Sequence, residues 1–197
     1  MSDKLNSNGP LIESFMGLTP EIDKTAFVAA SAVVSGAVRI GKEASIWHNV
    51  TLRGDANYIT IGDGTNIQDN SCVHIDSAVF PTIIGNNVTI GHSAIIHACT
   101  LGDTCFIGMG AIVMDGAIVE PGAMVAAGAM VTPGKIVPTG ELWAGRPAKK
   151  MRDLSQEEIE GLKNSALRYI EFGRAYRLGE AGGPYQYFKP RPLPAKD

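Results

Sequence analysis

The chain has 197 residues, which is enough for one domain with a sizeable hydrophobic core. Hydrophobic residues make up 45% of it, which argues against a disordered chain. The formal net charge is -3 and no cluster of lysine and arginine forms a long basic stripe, so we expect no nucleic-acid partner. No apolar run approaches the roughly 20 residues that span a bilayer, and residues 1–18 lack the layout of a signal peptide. We therefore expect no membrane partner either.

The three cysteines, Cys72, Cys99 and Cys105, are an odd set without a C-x-x-C pair. This pattern predicts small, buried or reduced thiols, as in a cytoplasmic protein.

After an N-terminal segment, residues 1–25, aliphatic side chains recur every six positions. The repeating residues are Val28, Val34, Ile40, Ile46 and Leu52, then Ile61, Ile67 and Val73, then Ile84, Ile90 and Ile96, and finally Leu101, Ile107, Val113, Val119, Val125, Val131 and Val137. A period of six fits neither an amphipathic helix nor an alternating strand, but it fits a short strand followed by a tight corner. Three such hexads form one triangular coil, and coils stack at the strand spacing of about 4.8 Å. Residues 26–143 are therefore predicted to form an all-β parallel β-helix, a triangular prism of about six coils.

Two interruptions of the six-residue register, at 56–60 and 77–83, are predicted to be loops at corners. Residues 144–180 are predicted to form an exit turn and a C-terminal α-helix, with Ser155 and Glu158 as its capping box. Residues 181–197 form a proline-rich tail.

The repeat register predicts which outward side chains stack on one another. Leu52, Val73 and Ile96 fall on one face in successive coils, and the residues that follow them are Arg53, His74 and His97. His74 and His97 should lie one strand spacing apart, so their imidazoles can lean onto one metal ion.

Another face carries Ile46, Ile67 and Ile90, and two positions after these residues come His48, Asp69 and His92. His92 therefore lies on a different face from the other two histidines. Packing that face against the first face of a neighbouring subunit would unite all three, and a three-fold ring closes such contacts. Three imidazoles predict a hydrolytic zinc site. His48 is interpreted as a surface histidine.

The motifs resemble, in order, those of the γ-class carbonic anhydrase family, in its short members that are similar to hexapeptide-repeat transferases. The matching segments are Leu52-Arg53-Gly54-Asp55, Thr65-Asn66-Ile67-Gln68-Asp69, Val73-His74, Gly91-His92 and Ile96-His97. The resemblance implies a left-handed β-helix and a homotrimer that acts on carbon dioxide and bicarbonate. It implies that His74, His92 and His97 hold Zn²⁺, or Fe²⁺ or Co²⁺, with two ligands from one subunit and one from its neighbour.

The resemblance also assigns roles to other residues. It implies that Arg53 and Asp55 form an interfacial ion pair, that Gln68 and Asp69 organise the water at the metal, and that Tyr169 lines the site. Each residue has a plainer interpretation from the sequence alone. Arg53 and Asp55 could form an ordinary interface salt bridge, Gln68 and Asp69 could be corner residues, and Tyr169 could be a packing aromatic.

The chain departs from the family prototype where that prototype carries proton-shuttling glutamates. Ala56 follows Asp55 in the place of a glutamate, and residues 77–81 contain no carboxylate. Slow proton export is therefore expected. Two other functions stay open: acyl transfer or thioester hydrolysis on coenzyme A esters, and a non-catalytic role as a zinc-bearing assembly subunit.

Overall fold

The computed structural model describes residues 9–179. Its elements are β1 (Leu11–Glu13), β2 (Glu21–Ile22), β3 (Phe27–Val28), β4 (Val33–Ile40), β5 (Ser45–Ile46), β6 (Thr51–Ile61), β7 (Asn66–Ile67), β8 (Cys72–His74), β9 (Thr82–Ile84), β10 (Thr89–Ile90), β11 (Ile95–His97), β12 (Thr100–Leu101), β13 (Phe106–Ile107), β14 (Ile112–Val113), β15 (Ile118–Val119), β16 (Met124–Val125), β17 (Met130–Val131), β18 (Ile136–Val137), β19 (Glu141–Ala144), β20 (Lys149–Asp153) and α1 (Gln156–Leu178).

Short parallel strands stack in three faces. Face 1 contains β1, the first half of β4 and of β6, β8, β11, β14 and β17. Face 2 contains β2, the second half of β4 and of β6, β9, β12, β15 and β18. Face 3 contains β3, β5, β7, β10, β13, β16 and β19. The predicted parallel β-helix with a C-terminal helix is confirmed.

The stack has about seven turns rather than about six, because it begins before the range 26–143. Ile12 in β1 pairs with Val34, and Ile22 in β2 pairs with Ile40, so the first coil lies in what the sequence indicated as an N-terminal segment. The interval between Ile12 and Ile22 is not a multiple of six, which is why the repeat did not reveal this coil.

The predicted aliphatic columns fill the interior of the prism. On face 3, Ile46, Ile67, Ile90 and Ile107 have no exposed surface, and each is the register partner of the next. No single hexad can bury its own aliphatic side chain, so the stacking of coils supplies the core.

One of the two predicted loops is a strand. β6 runs unbroken through residues 56–60, and its register against β4 shifts between Gly36 and Val38. The extra residues are absorbed there because both ends of β6 keep their pairing with β4. The other interruption is a loop at residues 77–81. A hydrogen bond from the amide of Asp76, just before the loop, to Phe80 O at 3.0 Å closes it.

The predicted exit turn is part of a hairpin, because β19 pairs antiparallel with β20. The helix then begins after Ser155, and the predicted capping box with Glu158 is confirmed. Its residues pack against face 3, where Gly173 lies close to Ser45 and Arg174 pairs with Glu43 at 2.6 Å. The tail at 181–197 lies outside the described residues.

Cys99 and Cys105 are buried, as predicted, and burial raises the pKa of both thiols. Cys72 is exposed in the isolated chain, because its side chain in β8 points away from the core that Val73 enters. Within residues 9–179, no helix is long and apolar enough to cross a bilayer.

Replacing Ile67 with alanine should lower the free energy of unfolding by about 2–5 kcal/mol, because it opens a cavity in the face 3 column. The matched control is Ile136→Ala in β18, where the side chain is 49% exposed and the loss should stay below about 1 kcal/mol. Urea unfolding at one fixed protein concentration measures both losses. Equal losses would contradict the burial of Ile67 in a closely packed core.

Candidate metal centre

His74 and His97 are direct register partners on β8 and β11. His74 Nδ1 lies 3.3 Å from His97 Nε2, and the two ring centroids are 5.3 Å apart. The stacking that the sequence predicted therefore brings these two imidazoles into contact, although they are 23 residues apart in the chain.

The outer nitrogen of each ring contacts a carboxylate. His74 Nε2 lies 3.2 Å from Asp55 Oδ1, and His97 Nδ1 lies 2.6 Å from Asp115 Oδ1. Arg53 forms an ion pair with the other oxygen of Asp55, within the same chain. Burial raises the pKa of the Asp55 carboxyl, but hydrogen bonds from Arg53 and His74 outweigh it and hold that pKa below its ordinary value.

These contacts constrain the tautomers of the two rings. An ionised carboxylate can only accept, so the ring nitrogen that faces it carries the proton. In a neutral imidazole the other nitrogen then presents a lone pair. His74 and His97 thus turn two lone pairs toward each other at 3.3 Å, an arrangement that a cation between them would stabilise.

His92 lies on another corner, where its Nδ1 is 2.9 Å from Asp69 Oδ2. Neighbouring Gln68 is buried and donates from Nε2 to Asn66 Oδ1 at 3.2 Å. Among the described residues of a single chain, no group of three or more histidine, cysteine, aspartate or glutamate side chains is arranged to hold a metal ion. One chain therefore supplies a pair of imidazoles in one place and a third imidazole in another.

The donor set of the pair fits zinc. Ligand nitrogens at about 2.0–2.1 Å from a tetrahedral ion are about 3.3 Å from each other, which matches the distance between His74 and His97. Burial lowers the pKa of His74, and the hydrogen bond to Asp55 offsets this only in part. The ring is thus held in the neutral form that a metal requires.

The C-terminal helix covers the corner that carries Asp69. Tyr169 packs edge-on against Trp47, with ring centroids 5.7 Å apart. Both rings line a cavity of about 250 Å³ together with His48 and Asp69. His48 contacts Ser31 through Nδ1 at 3.3 Å. Among the described residues, it belongs to no group of three or more side chains that could hold a metal ion.

Asp115 is the site residue that the sequence analysis missed. It follows Val113, the register partner of Ile96, by two positions, so it stands at the corner one coil beyond His97. The stacked register could have indicated it, but Asp115 is offset by one position from the column of residues that directly follow the aliphatic side chains of face 1.

Comparisons with known proteins place the chain in a family. Hexapeptide-repeat models match residues 98–133, described as bacterial transferase hexapeptide (six repeats), and residues 81–113, described as the hexapeptide repeat of succinyl-transferase. "Gamma carbonic anhydrase 2, mitochondrial" of Arabidopsis thaliana is 52% identical over 163 residues, which are 80% of this chain and 59% of that protein. "Probable carbonic anhydrase" of Methanocaldococcus jannaschii is 49% identical over 150 residues, which are 76% of this chain and 94% of that protein. The chain belongs to the γ-class carbonic anhydrase family.

A solved structure that is similar to this chain carries a different name. The hexapeptide transferase family protein from Anaplasma phagocytophilum is 54% identical, covers 84% of this chain and 98% of its own, and superposes with a TM-score of 0.81. The chain spans 59% of the length of the Arabidopsis relative, which is named as mitochondrial. The cytoplasmic location expected from the sequence stays a prediction.

Tyr169 should ionise only above its ordinary pKa of 10.0, because burial disfavours the phenolate and the carboxylate of Asp69 adds to this effect. Its phenol would then stay neutral at physiological pH and could act only as a hydrogen-bonding group. An ultraviolet titration of the wild type against Tyr169→Phe isolates this phenol. A Tyr169 signal that titrates below the ordinary value would contradict the partial burial of this side chain beside Trp47.

Proposed function

We propose that this protein is a carbonic anhydrase that hydrates carbon dioxide reversibly at a metal site shared between subunits of a homotrimer. The observation that carries the proposal is the pair of imidazoles, His74 and His97, whose inner nitrogens face each other at 3.3 Å while their outer nitrogens contact carboxylates. Family membership supports the same activity.

The metal ligands would be His74 and His97 of one subunit and His92 of its neighbour. A bound zinc ion, or iron or cobalt in its place, would supply Lewis-acid activation of water. The tautomers of His74 and His92 would be fixed by Asp55 and Asp69, which accept from the nitrogen that does not face the metal.

Gln68 and Asp69 would orient the attacking water, and Tyr169 would close the same corner. The amide plane of Gln68 is fixed by its hydrogen bond to Asn66, so the group is preorganised beside Asp69. Arg53 would hold the Asp55 carboxylate in place through its ion pair. These residues supply position and hydrogen bonds, which is the protein's share of catalysis in such a site.

Each turnover must release a proton, and the chain offers few carboxylates to carry it away. Ala56 follows Asp55, and the loop at 77–81 has none. Asp76, just before that loop, already accepts hydrogen bonds from the amides of Ala78 and Val79 through Oδ1. We therefore propose that proton transfer to buffer limits the rate.

Acyl transfer to or from coenzyme A esters is the second candidate, and the transferase name of the similar Anaplasma structure favours it. Such an enzyme needs one histidine as a general base and no metal. Calorimetric titration with coenzyme A separates the two activities, and a chain that binds zinc but shows neither activity would be a non-catalytic assembly subunit.

Purified protein should contain close to one transition-metal ion per subunit, and chelation should abolish carbon dioxide hydration until zinc is restored. Elemental analysis and a stopped-flow hydration assay measure the two quantities. Protein that holds no metal after reconstitution with zinc, iron and cobalt would overturn the proposal.

Mixed trimers test whether the site is shared. His92→Ala subunits keep the imidazole pair and His97→Ala subunits keep His92, so refolding them together should restore about a quarter of the interfaces if assembly is random. Zinc content should recover to that extent. A mixture of His74→Ala with His97→Ala is the matched control and should recover nothing, because both changes damage the same face. Equal recovery in the two mixtures would show that the three ligands are not divided in this way.

Small buffers should accelerate hydration, because they replace the missing proton carriers. We expect turnover to rise with imidazole concentration while kcat/KM stays constant. A fast enzyme that is indifferent to buffer concentration would refute the proton-transfer limit and leave the metal assignment intact.

A further inference from the structure

We propose that Asp115 is the positioning residue that fixes the tautomer and orientation of His97, an inference that rests on the proposed metal site. Asp115 Oδ1 lies 2.6 Å from His97 Nδ1, the shortest of the three contacts between these histidines and a carboxylate. The proton of His97 is thereby placed on Nδ1. Its Nε2 is left with a lone pair directed at His74, as a metal ligand requires.

The backbone around Asp115 is fixed by the coils on either side. Gly116 N donates to Ala98 O in the preceding coil at 2.8 Å, and Gly134 N donates to Asp115 O from the following coil at 2.9 Å. The carboxylate therefore projects from a corner that is held at both edges, and its position does not depend on a flexible segment.

A side chain from the neighbouring loop closes over this corner. Gly116 has a φ of +64°, and a Cβ there would meet the ring of Phe80 at 3.1 Å. Only glycine combines this backbone conformation with the close approach of the ring. The loop at 77–81 thus packs beside the contact between Asp115 and His97 and limits the movement of the corner.

The three candidate ligands share this arrangement. His74 is paired with Asp55, His92 with Asp69 and His97 with Asp115. Asp55 and Asp69 are accounted for by the family motifs, whereas Asp115 lies outside every motif of the site. Asp115 completes the set, so that each imidazole has its own hydrogen-bond acceptor.

Asp115→Asn is the direct test. An amide can either accept from Nδ1 or donate to it, so the tautomer of His97 is no longer imposed. We expect zinc affinity, measured by competition with a chromophoric chelator, to fall by about 10- to 100-fold. Nitrogen NMR of the metal-free protein, at a pH where the imidazoles are neutral, should show His97 protonated on Nδ1 in the wild type and a mixture of tautomers in the variant.

Asp103→Asn is the matched control. Asp103 occupies the same place in its hexad, two positions after Leu101, but its Oδ1 accepts from the amide of Asn86 and contacts no histidine. This variant should leave zinc affinity and the His97 tautomer unchanged, which separates the loss of a corner carboxylate from the loss of the contact with His97.

The outcomes distinguish this inference from the proposed function. If the wild type binds zinc tightly and Asp115→Asn binds it equally well with the same His97 tautomer, the role of Asp115 is refuted and the metal site stands. If the wild type binds no metal, the proposed function fails, while the NMR spectrum of the wild type still decides the contact. A wild-type His97 protonated on Nε2 would refute the inference even if the variant did not fold.

Discussion

The site depends on the stacking of parallel coils. Each strand hydrogen-bonds to the equivalent strand one coil away, so side chains at equivalent places in successive coils are separated only by the strand spacing of about 4.8 Å. His74 and His97 are partners in this ladder, which is why they touch although they are distant in the chain. The same ladder brings Asp69 to His92 and Asp115 to His97.

The same constraint makes the site rigid without a large cavity. Val73 and Ile96, the aliphatic residues that precede His74 and His97, have no exposed surface. The histidines therefore stand on strands whose inner faces cannot move without opening the core. Carboxylates at the corners then set the proton positions of the rings. A preorganised imidazole pair results from a repeated backbone unit whose inward residues are aliphatic and whose outward residues vary.

Sequence periodicity predicted these columns because one hexad has one geometry, and the register carried through both interruptions. The capping box of the helix was equally visible, because Ser155 and Glu158 interact within a single turn. Contacts that depend on an irregular interval were not predictable in this way. Strands β1 and β2 join the stack although their spacing breaks the repeat, and residues 56–60 remain a strand because β4 pairs with both ends of β6. Asp115 was not predicted because it stands two positions after Val113, whereas His97 directly follows Ile96, and no local motif marks it.

In the proposed site, one metal ion lies between the imidazole pair of one subunit and His92 of its neighbour. Anomalous diffraction at the zinc absorption edge, from crystals of the zinc-loaded protein, tests this most directly. We predict one peak at each subunit interface, within bonding distance of His74, His97 and the neighbouring subunit's His92. A peak bound by ligands from a single chain, or density at none of these three imidazoles, would contradict it.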